Sequence, residues 1–173
     1  TWTHVVGVAD GTNLFLYING VKQTDTSTYT TPLLTPTNNI YIGAQGVSPT
    51  TNEFKGRLDE AAVFNYGLNQ AQITQIYNNG YPADLTSLSP ISWWRLGEDA
   101  WFDGSDFIIP NQITGASNGT SQNMDQADLV ADAPGSYASG VGSSLVVGDR
   151  VGDAPESTAN SLSVNMVPGN RIS

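Results

Sequence analysis

The chain contains no cysteine, so neither a disulfide framework nor a thiolate zinc site is available to it. It has a single histidine, His4, with no nucleophile pattern beside it, which removes the signature of a Ser-His-Asp hydrolase. His4 reads instead as a strand residue hydrogen-bonded within a sheet. Basic residues are scarce: 6 Lys and Arg stand against 16 Asp and Glu, a formal charge of −10. Phosphate backbones are bound through clustered Lys and Arg, so nucleic acid is not an expected partner. No apolar run approaches the roughly 18 residues that cross a bilayer as a helix, and membrane insertion is not expected. The chain opens on strand-like sequence with neither an initiator Met nor a signal-peptide pattern, and the expectation is a processed piece of a longer chain.

What is abundant is turn chemistry. Gly (18), Pro (9) and many Thr, Ser and Asn residues imply numerous short strands. Residues 2–9 are β-branched and alternating, Asp10-Gly11 makes a turn, and Leu14, Leu16 and Ile18 then share one face of a second strand. Asn19-Gly20 follows, a strong hairpin signal because both residues accept positive φ in a type I′ turn. Residues 39–44 form a short strand. Residues 54–64 read as one longer internal strand carrying the adjacent acids Asp59 and Glu60.

One helix is marked over residues 69–79. Asn69 is a good N-cap, Gln72 completes a capping box, and Leu68 can staple onto Ile73. Ile73, Ile76 and Tyr77 form its apolar stripe, Gly80 is the expected left-handed cap, and Pro82 forbids continuation. A change of character at Pro82 divides the chain into 1–82 and 83–173, the latter rich in Gly, Ser, Asn and Asp. Within it, the aromatic-rich stretch 84–103 could form one or two strands, and beyond it 143–148 and 161–166 look like strands.

The residues "WTHVVGVADGTNLFLYINGVKQ", then "NNIYIGAQG", then "FKGRLDEAAVFNYGLNQAQITQIYNNG" resemble the second half of a LamG-like domain, a concanavalin A-like lectin/glucanase sandwich. The resemblance covers residues 1 to about 81. It implies an all-β fold, a two-sheet antiparallel jelly-roll sandwich with one short helix, followed by an extended β/loop C-terminal region. "SWWRLGEDAWFD" with "GASNGTSQNM" looks like the opening of a second such domain, so residues 83–173 read either as that start or as a tail. The tail as a whole looks similar to C-terminal regions of LamG-containing proteins of marine bacteriophages, which implies a virion structural component.

Site candidates follow from these patterns. A glycosidase needs two carboxylates flanking the scissile bond on one surface, and adjacent residues of a strand point to opposite faces. Asp59 and Glu60 therefore read as structural acids satisfying backbone donors near a sheet edge, with metal ligation the second reading. The Glu-x-Asp-x-x-Glu strand of the glucanase relatives is absent. Sandwiches of this type often hold calcium beside a loop, and "EDAWFDGSD" supplies Glu98, Asp99, Asp103 and Asp106; Asp99, Asp103 and Asp106 are the candidate ligands, against the plainer reading of a solvated acidic loop. Trp93, Trp94 and Trp101 are candidates for core packing or a subunit interface rather than a sugar platform, and alternation would bury at most one of the adjacent pair Trp93 and Trp94. The expectation is a non-enzymatic structural or binding module, extracellular or on a virion surface. Its partners would be other protein subunits, with cell-surface glycans and calcium as the alternative.

Overall fold

The computed structural model describes residues 1–29, 39–44 and 54–130, together with the backbone of 144–147 and 161–164. The chain opens with an antiparallel meander of β1 (Val5–Ala9), β2 (Asn13–Ile18) and β3 (Val21–Thr28). Asp10 Oδ1 accepts the N–H groups of Thr12 and Asn13 (3.0 and 2.7 Å) and closes the first turn. Asn19 and Gly20 both take positive φ, 49° and 77°, as a primed hairpin turn requires. Alternation then sorts the side chains. Val6, Val8, Phe15 and Tyr17 turn towards the helix, while Val5, Leu14, Leu16 and Val21 stay exposed on the opposite face.

Three short strands follow, β4 (Ile40–Ile42), β5 (Gly56–Leu58) and β6 (Ala61–Val63). The single strand expected over 54–64 is thus two strands broken at Asp59 and Glu60, because Glu60 adopts a left-handed conformation (φ 52°) that no continuous strand contains. The helix α1 (Gln70–Tyr77) forms where its caps predict. Asn69 Oδ1 accepts the Gln72 N–H at 3.0 Å, and Gln72 Oε1 accepts the Asn69 N–H at 2.9 Å, so two otherwise orphaned donors are satisfied reciprocally. Leu68 and fully buried Ile73 pack with Val8 and Tyr17, seating the helix on the meander. The left-handed cap is Asn78 (φ 43°) rather than Gly80, which takes positive φ two residues later.

Beyond Pro82 come β7 (Ser92–Trp94), β8 (Trp101–Phe102), β9 (Phe107–Ile109), β10 (Gly119–Gln122), β11 (Leu129–Val130), β12 (Ser144–Val147) and β13 (Ser161–Val164). Each strand of 39–64 pairs with one of these: β4 with β13, β5 with β12, and β6 with β7, all antiparallel. One sheet runs β4-β13-β10-β9-β8 and another β11-β12-β5. Between them lies a second core of Trp94, Leu96, Phe107, Ile109 and Met124, joined by Ile42 and Leu58 from the first part of the chain. The protein is therefore mostly β and antiparallel with one short α-helix, and the described strands close no barrel. No helix among the described residues is long and apolar enough to cross a membrane. The segments 30–38, 45–53 and 165–166, the last of which ends the strand expected over 161–166, lie outside the described residues.

Asn69→Ala is expected to lower the unfolding free energy by about 1 kcal/mol through loss of the cap, and Ile73→Ala by about 2–5 kcal/mol through the cavity it leaves. Urea unfolding followed by circular dichroism measures both; the two midpoints should fall with the slope unchanged.

Candidate functional site

The break between β5 and β6 positions the charged residues. Because Glu60 is left-handed, strand alternation no longer separates the side chains of Asp59 and Glu60. Both reach one cluster with Glu98, and one ligand oxygen from each of the three lies within 4.8 Å of the others. The expectation that these neighbours face opposite ways is thus overturned by one backbone dihedral.

Glu60 is the best-held member. Its Oε2 accepts Trp93 Nε1–H at 2.7 Å and its Oε1 accepts Arg95 Nε–H at 3.0 Å, both donors coming from β7 and the residue just after it. Its side chain is 15% exposed and that of Arg95 29%. Asp59 Oδ1 accepts the Glu60 N–H at 2.9 Å, the local backbone satisfaction expected of a structural acid. Its other oxygen is buried with no hydrogen-bond donor, as are both oxygens of Glu98. Arg95 Nη2 stands 3.8 Å from Glu98 Oε1, an ion-pair contact too long for a hydrogen bond.

Three carboxylates around one guanidinium leave an excess of negative charge in a half-dry site. Burial first, then Glu98 and Glu60, push the Asp59 carboxyl up to about 8. Burial also raises Glu60, opposed by the hydrogen bonds from Trp93 and Arg95. At neutral pH the proton on Asp59 relieves the repulsion. A hard divalent cation could do the same, since converging carboxylate oxygens are the donor set it takes and the undonated oxygens of Asp59 and Glu98 fit that demand.

The other sequence candidates sit elsewhere. Asp103 Oδ1 accepts the N–H groups of Ser105 and Asp106 (2.9 and 3.0 Å) in the turn between β8 and β9, which lowers its pKa. Burial and then Asp103 raise Asp106. Asp99 Oδ2 accepts from Gln112 Nε2 at 3.3 Å. Among the described residues, the grouping of three acids within 4.8 Å contains none of Asp99, Asp103 and Asp106. Trp93 and Trp94 are both buried, contrary to the alternation argument, since both faces of their strand are covered. Their indole N–H groups donate to Glu60 and to Ser117 O. Trp101 is half exposed. His4 donates its backbone N–H to Asn19 Oδ1, but its Nδ1 is buried with no hydrogen-bond partner, and burial lowers its pKa. Glu98 was legible as an acid of the WRLGE segment; its meeting with Asp59 was not, because the two are brought together by long-range pairing of β6 with β7.

A cavity of about 360 Å³ lies between β1 and β6. Of the three clustered acids only Glu60 lines it, and both its oxygens are already engaged by Trp93 and Arg95.

Residues 1–74 match the family model of the concanavalin A-like lectin/glucanase superfamily. The matched stretch runs from β1 through the first turn of α1, so it supports a LamG-like module there, and the antiparallel β architecture with one short helix is consistent with a concanavalin A-like sandwich. The family description spans both sugar binders and sugar hydrolases. No curated protein and no solved structure matches the chain.

The Asp59 carboxyl binds its proton more tightly in the folded chain than in the unfolded one, where its value is near 3.8. Between 3.8 and about 8 the folded state therefore carries the extra proton, and stability falls as pH rises through that window. Denaturant midpoints measured across it should decline with pH. Asp59→Asn should flatten the decline and be more stable than the parent chain above pH 8.

Proposed function

We propose that this chain is a non-enzymatic structural and binding module of an assembly displayed outside the cell or on a virion surface, where it contacts other protein subunits. The observation that carries this reading is the outer face of the meander. Register places Val5, Ile18 and Val21 in one row across β1, β2 and β3, with Gly7 and Leu16 in the next and Ala9, Leu14 and Ser27 beyond. Val5 and Val21 are 61% and 64% exposed, and Leu14 and Leu16 about two-fifths exposed. A contiguous aliphatic face marks a protein contact; a sugar face would offer aromatic rings, which these rows lack.

Hydrolysis is disfavoured by the arrangement of the acids. Glycoside cleavage needs two carboxylates free to act across a bond in a cleft. The cavity presents one, and its oxygens are held by Trp93 and Arg95. The second reading is a glycan-binding adhesin, favoured by Trp101, half exposed on β8 next to the acidic turn of Asp103 and Asp106. Calcium enters either reading as a structural cation on Asp59, Glu60 and Glu98, supported by their buried oxygens without donors.

Sedimentation velocity across a concentration series tests the assembly reading. The chain should self-associate or co-sediment with its neighbouring subunits, and Leu16→Lys, at an exposed site, should weaken that association about tenfold or more without lowering the unfolding midpoint. A chain that stays monomeric, binds no subunit and lights a glycan array through Trp101 would replace it with the adhesin reading; release of reducing sugar would overturn both. Calcium should raise the unfolding midpoint of the parent chain above pH 8 and leave Asp59→Asn unmoved.

A further inference from the structure

We propose that Asn79 is a self-modifying site, where the side-chain amide is lost as ammonia and an aspartyl or isoaspartyl linkage replaces it at the end of α1. The site is a property of the helix end and does not depend on the assembly reading. The chain holds three Asn-Gly pairs, Asn19-Gly20, Asn79-Gly80 and Asn118-Gly119. In such a pair the backbone nitrogen after asparagine can attack the side-chain amide carbon, because glycine puts no Cβ beside that nitrogen. At Asn79 the Gly80 nitrogen gives its proton to base and bonds to Cγ. The bond from Cγ to Nδ2 breaks, ammonia leaves, and a five-membered imide remains. Water then adds to either imide carbonyl and opens the ring, so amide and water are the only reactants.

The fold occupies two of the three carboxamides. Asn19 Oδ1 accepts the His4 N–H at 2.9 Å, and the Asn19 N–H donates to His4 O at 2.9 Å. Gly20 O accepts from Gln70 Nε2 at 2.8 Å, and a Cβ on Gly20 would meet the Tyr77 ring at 3.0 Å. Asn118 Oδ1 accepts the Asn111 N–H at 3.0 Å, and Gly119 is buried in β10 opposite Ile109 and Val164. Ring closure at either place must first break contacts between separate elements.

Asn79 has no such duty. It is exposed, and among the described residues no hydrogen bond holds its carboxamide. It lies in the short turn Asn78–Gly80 that follows α1, with φ 58° and ψ 27°. Asn78, Asn79 and Gly80 are all left-handed, at φ 43°, 58° and 89°. Two consecutive non-glycine residues in that region are under strain. At this ψ the Gly80 nitrogen points away from Cγ, so attack requires the Asn79–Gly80 peptide to turn over. That rotation takes Asn79 out of the strained region, and it occurs at a helix terminus, where local opening costs least.

The product carries a new carboxylate at the C-terminal end of α1, whose last turn holds no basic residue. The helix dipole disfavours negative charge there, and the chain already carries −10. Conversion therefore loosens the helix end that sets Tyr77 against the Gly20 hairpin. It is a one-way mark that accumulates with the age of the folded chain.

The test is incubation of the intact chain in warm, mildly alkaline buffer, with peptide mapping by mass spectrometry over days. Asn79 should convert at least about tenfold faster than Asn19 and Asn118, giving both aspartyl and isoaspartyl products. In urea the three rates should converge, since the fold is what separates them. Asn79→Gly accepts the left-handed backbone without strain, and should keep its unfolding midpoint through an incubation that lowers the parent's. No conversion of Asn79, or equal rates at the three sites in the folded chain, overturns the proposal. A preference for Asn79 that persists unchanged in urea also overturns it, since its cause would then lie in local sequence and not in the fold.

Discussion

The carboxylate of Glu60 is where the two sides of the chain are fastened together. It arises from a two-residue link between β5 and β6, and it accepts the indole of Trp93 and the guanidinium of Arg95, some thirty-five positions later in sequence. A buried carboxylate without such partners costs several kcal/mol, so the contact is directional as well as favourable: β7 must lie beside β6 in one register for the charge to be tolerated. That register places Ala61 opposite Trp94 and Val63 opposite Ser92. Trp94 is thereby driven into the core with Leu96, Phe107 and Ile109, on which the five-stranded sheet is laid.

Glu60 spends both oxygens on that grip, and so Asp59 and Glu98 are left to settle the remaining charge. Arg95 cannot serve all three acids: it hydrogen-bonds Glu60 and only approaches Glu98, at 3.8 Å. Burial, then Glu98 and Glu60, hold the proton on Asp59 at neutral pH, which relieves the repulsion among the three acids.

What was readable from residues alone was whatever local chemistry decides. The Asn69–Gln72 capping box, the Asn19-Gly20 hairpin and the strands flanking that hairpin each depend on a few adjacent residues, and each formed where expected. The all-β architecture was legible for the same reason. The Asp59–Glu60 pair was misjudged because alternation holds only inside a continuous strand, and a non-glycine residue in the left-handed region carries no sequence signal. Gly80 looked like the helix cap because glycine pays no penalty at positive φ; Asn78 takes the role because asparagine tolerates that region and the chain needed the turn earlier. Trp93 and Trp94 obeyed alternation, but both faces of β7 are covered, a property of strands distant in sequence.

Among the described residues β1 pairs with β2 alone. β4, β5 and β6 spend one edge each on β13, β12 and β7. β1 has β2 on one side, and on the other the cleft that separates it from β6. A sheet edge of five uncharged residues is a hazard in a chain that must remain alone, and chains that must remain alone usually blunt such edges with charge, as β3 does here. The contrast between the two edges of one three-stranded sheet is therefore informative in itself. Charge is kept off the edge that faces the cleft and off the aliphatic face beside it, in a chain whose surface is otherwise strongly acidic. Of the acidic cluster only Glu60 reaches that cleft, and there its charge is met by Trp93 and Arg95.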